Sequence, residues 1–244
     1  MTALQSPESV AAFHAALAHF PSTAGPVCPD VPAPSAWAAA ELQFIAEPKQ
    51  TEALDSAAPR LAVRAARQWG KSTLLAIKAL HTAVFHPGAS VLVLALSARN
   101  AALFAFTLRR LAARLGHARR TIPGMPHSLV LPNGSTIRVE SRAIRSTGLT
   151  GPATVILVDG EDPALPVPAL LRQGGTIWFF ATPNGEAGFF YDLWHNEAFN
   201  HWTRLHTTVD DVPTLDPAYI DERTRLSPWY VHQDLYAGFV PPPV

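Results

Sequence analysis

The sequence predicts an α/β fold with a mainly parallel central sheet flanked by helices, and two observations lead to this prediction. From residue 60 onward, short apolar runs alternate with segments of helical periodicity, an order typical of parallel sheets covered on both faces. The runs 91–96 and 155–158 are continuously apolar, as strands buried on both faces are. With 244 residues, 48% of them hydrophobic, the chain is long enough for one large domain.

Each predicted element follows from a local signal. The first long helix should end at Pro87-Gly88, because proline and glycine terminate helices. The second places Phe104, Leu108 and Leu111 on one face. Asn133-Gly134 is a strong hairpin signal between two short apolar runs. The predicted order is strand 61–63, helix 72–85, strand 91–96, helix 101–115, hairpin 129–131 with 136–139, and strands 155–158, 176–180 and 202–209.

The ends of the chain differ from its centre in composition. Residues 1–40 are rich in Ala and Pro and predict an N-terminal arm before a main domain at 41–240 and a tail at 241–244. No Lys or Arg precedes Lys49, so the basic flank of a secretion signal is missing. The longest aliphatic run, 91–96, is too short to span a bilayer. We therefore expect a cytoplasmic protein with no membrane partner.

The formal net charge is zero, yet the charges are separated along the chain. Residues 56–139 contain no Asp or Glu and twelve Lys or Arg, whereas residues 155–244 contain twelve acids and four Arg. Such asymmetry indicates a polyanionic partner for the basic half. The alternative is that folding mixes the two halves on one surface.

A phosphate-loop pattern stands between the first strand and the first long helix. Its residues are Ala65, Ala66, Arg67, Gln68, Trp69, Gly70, Lys71, Ser72 and Thr73, with Ala65 where a glycine is usual. In such a loop, backbone N–H groups and the helix N-terminus surround the β- and γ-phosphates. Lys71 supplies a charge between them, and the Ser72 hydroxyl is a hard oxygen ligand for Mg²⁺. The loop therefore predicts ATP and Mg²⁺ as cofactors, with an ordinary strand–turn–helix corner as the alternative.

Two later strands end in residues that suit the same site. The run 155–158 leads into Asp159, a carboxylate placed to hold the Mg²⁺ shell. The run 177–180 leads into Ala181-Thr182-Pro183-Asn184-Gly185, which puts a hydroxyl at a strand tip beside the phosphates. Together with the loop, they favour a phosphate-loop NTPase fold of the ASCE type.

With these motifs the sequence resembles the ATPase domain of the phage terminase large subunit, the motor that packages DNA into viral heads. The resemblance runs from about Pro48 to Val240. The residues that carry it are Pro48-Lys49-Gln50, Arg67 to Thr73, Leu131 to Ser135, Arg145 to Gly148, Val155 to Asp159, Ala181 to Gly185, Gly188 to Trp194 and Tyr230 to Asp234.

The resemblance implies a role for several of these residues. Gln50 matches an adenine-reading glutamine, and Arg67 matches a loop arginine that contacts the γ-phosphate. Asp159 matches the Mg²⁺ aspartate, and Thr182 matches the motif that couples hydrolysis to movement. Each has a plainer alternative: Gln50 as a solvated helix residue, Arg67 as a surface cation, and Thr182 as a strand-end cap.

The activity implied by the resemblance is hydrolysis of MgATP coupled to translocation of double-stranded DNA. Its implied partners are a portal, a small terminase subunit and further copies of the chain in a ring. A helicase-like ATPase shares these motifs, but it would need a second motor domain for which 244 residues leave no room.

The sequence departs from the family where the second nucleotide motif normally reads Asp-Glu. Here Asp159-Gly160-Glu161-Asp162 displaces the water-orienting carboxylate by one residue, and neighbouring strand residues point to opposite faces. Gly160 can adopt a positive φ and form a bulge that re-aims Glu161. We therefore favour Glu161 as the base, with Asp162 as the second candidate. A degenerate scaffold that binds ATP without hydrolysing it is the other alternative.

Terminases carry a nuclease domain after the ATPase, and this chain ends about where that domain would begin. We therefore expect no nuclease activity, with a nuclease on a separate chain as one alternative and a truncated copy as another.

A cluster of arginines in the second long helix is the candidate DNA contact. Arg109, Arg110 and Arg114 lie in a segment without acids, and a cationic helix face suits contact with duplex phosphates independently of sequence. The alternative is a solvated helix face.

Overall fold

The protein is described here from a computed structural model that covers residues 31–116, 120–141, 153–161, 175–213 and 215–241. The predicted arm therefore lies outside the described residues up to residue 30, as does the end of the tail at 242–244. The strands are β1 (Arg60–Ala65), β2 (Ser90–Ala95), β3 (Arg120–Ile122), β4 (Met125–Val130), β5 (Thr136–Ser141), β6 (Val155–Asp159), β7 (Thr176–Ala181) and β8 (Thr203–Thr207).

The eight strands of the described residues form one sheet in the order β3-β4-β5-β2-β6-β7-β1-β8. The neighbours from β5 to β8 pair in parallel, and β3, β4 and β5 pair antiparallel. The hairpin predicted at Asn133-Gly134 is confirmed as the β4–β5 pair, with Leu129 opposite Ile137. Because β2, β6, β7, β1 and β8 are parallel, their carboxyl ends meet at one edge of the sheet.

The helices are α1 (Pro34–Leu42), α2 (Pro48–Leu54), α3 (Lys71–Phe85), α4 (Ala98–Arg114), α5 (Phe189–His195), α6 (Pro217–Leu226) and α7 (Pro228–Tyr230). A π-helical turn, Val231–Leu235, continues α7, and single 3-10 turns occur at Glu197–Phe199 and Val209–Asp211.

The sheet carries a hydrophobic core on each face, as the continuous apolar strands predict. In β1, Leu61 and Val63 belong to the core under α1 to α4, while Ala62 belongs to the core under α5. This alternation follows from the two-residue period of a strand. The predicted α/β class with a mainly parallel, two-faced sheet is confirmed.

Helix α1 crosses the predicted boundary between arm and domain at residue 40. Pro34 starts the helix, where proline's missing N–H is no loss, and Trp37, Ala38 and Leu42 are buried. Trp37 meets the edge of His81 in α3, with ring centroids 5.5 Å apart. Residues 34–40 therefore pack as part of the domain.

Within the described part of the chain, no helix is long and apolar enough to cross a membrane.

Candidate nucleotide site at the carboxyl edge of the sheet

The phosphate loop turns from β1 into α3 through two residues with left-handed backbone. Gln68 has a φ of 64° and Gly70 a φ of 97°. Gly70 is also the N-cap of α3, so the N-terminus of that helix opens directly onto the loop. A Cβ at Gly70 would lie 3.2 Å from Nε2 of Gln50, and a side chain there would therefore strain both the backbone and this contact.

Lys71 lies at the centre of the site. Its ammonium donates to the carbonyl oxygen of Ala66 at 2.7 Å, to that of Ala65 at 3.3 Å, and to Oγ1 of Thr182 at 2.7 Å. Thr182 in turn donates its hydroxyl to the Ala65 carbonyl at 2.7 Å. Burial lowers the pKa of Lys71 to about 8, although the charge of Asp159 opposes the shift. Lys71 and Thr182, two of the predicted residues, thus join β1, the loop and the end of β7.

The two predicted metal ligands also lie together. Burial raises the pKa of Asp159, while the neighbouring Ser72 hydroxyl and the charge of Lys71 lower it. A hydroxyl and one carboxylate fit Mg²⁺, which usually takes few protein ligands and completes its shell with water and phosphate oxygens. The described residues contain no cluster of three or more His, Cys, Asp or Glu that could hold a metal ion.

Gly160 turns the chain between Asp159 and Glu161. Its φ is 107°, and its N–H donates to the Phe180 carbonyl at 2.9 Å. The side chain of Glu161 is buried, and its Oε2 accepts the Asn184 N–H at 2.8 Å. Its Oε1 is buried and has no hydrogen-bond partner among the described residues, and burial raises the pKa of Glu161 to about 7. The other candidate, Asp162, lies outside the described residues.

Gln50 has both ends of its amide bound to the chain itself. Nε2 donates to the Trp69 carbonyl at 2.7 Å, and Oε1 accepts the Glu47 N–H at 3.0 Å. Gln50 is also buried. In this arrangement it ties α2 to the phosphate loop, and one N–H and one lone pair of the amide remain beyond these two bonds.

The side chain of Arg67 is held by a residue that the sequence did not single out as its partner. Its Nε donates to Oδ1 of Asp234 at 2.6 Å, and its backbone N–H donates to the Asp234 carbonyl at 2.8 Å. Asp234 lies in the π-helical turn, is 1% exposed, and has Arg223 3.5 Å from its other oxygen. The π-helical turn therefore holds the phosphate loop in place. The two residues in contact are 167 positions apart, so no local sequence pattern could predict the bond between them.

The three arginines predicted to contact DNA have different surroundings. Arg109 donates to the Pro126 carbonyl and Arg114 to the Leu42 carbonyl, so each guanidinium is hydrogen-bonded to a backbone segment outside its own helix. Arg110 is exposed. Their contact with DNA stays a prediction.

The strand–loop–helix unit, with Lys71, Ser72, Asp159 and Thr182 gathered at one edge of a mainly parallel sheet, defines a phosphate-loop NTPase domain of the ASCE type. Residues 63–240 match the sequence model of the family described as terminase large subunit, T4likevirus-type, N-terminal. The match covers well over half of the chain, and the chain therefore belongs to this family.

Solved structures give the same fold. The large terminase ATPase domain of Thermus phage P74-26 matches with a TM-score of 0.66 at 20% identity, over 86% of this chain and 100% of that one. A large terminase from a thermophilic bacteriophage, solved in complex with ADP, matches with a TM-score of 0.65 at 14% identity, over 80% of this chain. The match spans 54% of that longer protein. No curated protein matches the chain.

Replacing Gln50 distinguishes its contacts with the phosphate loop from the predicted adenine-reading role. In Gln50→Ala, the affinities for ATP and GTP should fall by the same factor, because both lost bonds go to the protein backbone. Isothermal titration with the two nucleotides measures the ratio, and Lys49→Ala on the same helix is the control. A fall for ATP with no change for GTP would instead show that Gln50 reads the adenine.

Gly160→Ala tests the backbone turn before Glu161. A side chain at a φ of 107° costs about 1–3 kcal/mol, and the new Cβ would also lie 3.3 Å from Cβ of Leu96. Gly134→Ala is the matched control, because it has a φ of 83° and no atom within 4 Å of the new Cβ. Urea unfolding should show the larger loss for Gly160→Ala. Equal losses would mean that Leu96 simply moves aside.

Proposed function

We propose that this chain binds ATP with Mg²⁺ and hydrolyses it to drive movement of double-stranded DNA. The observation that carries the proposal is the convergence of Lys71, Ser72, Asp159, Glu161 and Thr182 on the carboxyl edge of the sheet. Separate segments of the chain supply these residues. An ordinary strand–turn–helix corner without a nucleotide site would need none of Asp159, Glu161 and Thr182. Family membership supports the proposal independently.

Binding would use the loop backbone and Lys71. The N-terminus of α3 directs N–H groups and a partial positive charge at the loop, where phosphates are favoured. The Lys71 ammonium has three donors, now shared between two carbonyls and a hydroxyl, and phosphate oxygens can compete for them. A bound polyanion would also keep this buried lysine charged, because it favours the protonated form.

Ser72 and Asp159 would hold the Mg²⁺, which supplies charge to the β- and γ-phosphate oxygens when it is bound. Glu161 would orient the attacking water. Its carboxyl group has a pKa of about 7, near the range that suits a general base at neutral pH. Within the described part of the chain its Oε1 has no hydrogen-bond partner, so one acceptor would be available for a water.

Related structures support the choice of nucleotide. The large terminase of the thermophilic bacteriophage has been solved in complex with ADP and in complex with ATP-gamma-S. Because this chain shares its fold, we infer the same class of ligand here. By family, we further propose DNA packaging as the process, with a portal, a small terminase subunit and a ring of copies as partners, and we expect no nuclease activity from this chain.

A second candidate function is a nucleotide-binding scaffold without turnover. The observation that favours it is the bond between Glu161 and the Asn184 N–H, which holds the displaced carboxylate against the loop after β7. If that bond persists with ATP bound, only one carboxylate oxygen remains for a water.

Two substitutions distinguish these functions. Lys71→Ala should abolish MgATP binding, because it removes the charge at the centre of the loop. Glu161→Gln should keep MgATP binding and lower turnover by about 10²- to 10⁴-fold, the usual contribution of a general base. Binding is measured by titration and turnover by phosphate release, with Arg120→Ala and Glu186→Gln as exposed controls.

Each outcome of these measurements leads to a different conclusion about the site. ATP binding that is unchanged by Lys71→Ala would contradict the nucleotide site altogether. Turnover that survives Glu161→Gln but is lost in Asp162→Asn would move the base to Asp162. Binding without turnover in the wild-type chain would favour the scaffold.

A further inference from the structure

Arg64, near the end of β1, has no hydrogen-bond acceptor and no acidic partner among the residues that the structure describes. Its Nε is buried without a partner. The other arginines of the described ranges that are buried or half-buried each have a carbonyl or a carboxylate as a partner. These pairs are Arg60 with Gly175, Arg109 with Pro126, Arg138 with Glu140, Arg204 with Leu193, and Arg223 with Asp234.

Two aromatic rings lie against the guanidinium of Arg64. Its central carbon is 4.6 Å from the ring centroid of Trp194 in α5 and 5.3 Å from that of Phe239. The rings attract the positive charge, but the N–H groups still need acceptors. The indole Nε1 of Trp194 is also buried without an acceptor in the described part of the chain. Because both unsatisfied atoms are donors, the group that would complete this place is an acceptor.

Two further cationic side chains share the sheet face of Arg64. Ala62 belongs to the core under α5, and Arg64, two residues later in the strand, lies on the same side. Strand β8 pairs in register with β1, so that Arg204 lies beside Ala62 and His206 beside Arg64. We name Arg64, Arg204, His206 and Trp194 together the Arg64 site.

The charges of the Arg64 site are not balanced by acids in contact with them. Within the described ranges, no ion pair joins Arg64, Arg204 or His206 to a carboxylate. Burial lowers the pKa of Arg64. Burial also lowers the pKa of His206, and the charge of Arg64 lowers it further, against the bond to Tyr236 and the charge of Asp211. A bound anion would relieve this repulsion and supply the missing acceptors.

We propose that the Arg64 site binds a phosphate group. The N–H groups of Arg64 form a rigid fork that matches two phosphate oxygens. The terminal nitrogens of Arg204 make only long bonds of 3.4 Å to Oδ1 of Asn200, so they can turn to an anion. Nε2 of His206 donates to the Tyr236 carbonyl at 2.9 Å, and Nδ1 becomes a second donor when the ring is protonated.

A phosphate suits these donors better than a carboxylate does. Three side chains able to carry positive charge and one indole N–H exceed what the two oxygens and single charge of a carboxylate can use. A phosphate offers more oxygens and, as a free ion at neutral pH, more than one negative charge.

The phosphate group has two possible sources, a free phosphate ion or a phosphodiester of DNA. The first would be a product and the second a partner of the proposed function, but the inference requires neither. The Arg64 site shares no residue with the candidate nucleotide site, although Lys71 donates to the carbonyl of the adjacent Ala65.

NMR of the ¹⁵N-labelled arginine side chains in the full chain tests the proposal. The Nε–H signal of Arg64 is identified by its loss in Arg64→Lys. Inorganic phosphate should shift this signal saturably, whereas chloride at the same ionic strength should not. Duplex DNA is the second probe: a shift at lower concentrations than phosphate requires would identify a phosphodiester, and a shift with phosphate alone would identify the free ion.

Variants show which groups hold the phosphate. Arg204→Gln should weaken phosphate binding at least about tenfold, because it removes a charged donor. Trp194→Phe keeps a ring but removes the N–H, and should weaken binding about 2- to 10-fold. Arg225→Gln, at an exposed residue of α6, is the matched control and should bind phosphate like the wild-type chain. Backbone amide spectra of the same samples confirm that each variant is folded.

Three results would overturn the inference. The first is an Arg64 signal that phosphate and DNA move no more than chloride does. The second is equal phosphate affinity in Arg204→Gln and the wild-type chain. The third is an equal response to acetate, which would make this a carboxylate site. Lys71→Ala should abolish MgATP binding yet leave the response of Arg64 to phosphate. A wild-type chain that binds phosphate at Arg64 but no MgATP would refute the proposed function and leave this inference standing.

Discussion

The contact of the Lys71 ammonium with two loop carbonyls and the Thr182 hydroxyl is the interaction on which the site depends. It joins the end of β1, the phosphate loop and the end of β7, strands that are neighbours in a parallel sheet. The buried lysine would be costly without these acceptors and the nearby Asp159. Lys71 is therefore linked directly to the segment from Thr182 to Asn184, whose other end holds Glu161.

Around this contact the loop is held from two further sides. Gln50 binds the Trp69 carbonyl from α2, and Asp234 binds both the backbone and side chain of Arg67 from the π-helical turn. Positive φ angles occur at Gln68, Gly70 and Gly160, all at this edge of the sheet. At Gln68, which is not a glycine, this left-handed backbone costs free energy that the surrounding contacts must offset.

Local signals predicted the sheet and the loop, because they are encoded within a few residues. Continuous apolar runs marked β2 and β6, Asn133-Gly134 marked the hairpin, and the carboxyl ends of parallel strands had to converge. The hydrogen-bond partners of the charged side chains could not be predicted in the same way. Asp234 binds the side chain of Arg67, and two backbone carbonyls accept hydrogen bonds from Arg109 and Arg114. These partners are distant in sequence, and the residues next to a charged side chain do not indicate which distant group it will bind.

Hydrogen exchange on a Thr182→Val variant tests the central contact most directly. Valine keeps the shape of the side chain and removes only the hydroxyl that accepts from Lys71 and donates to the Ala65 carbonyl. The account predicts faster exchange of the amides of residues 66–70, with the β4–β5 hairpin unchanged. Equal exchange in the loop of both proteins would contradict the claim that this hydroxyl ties β7 to the phosphate loop.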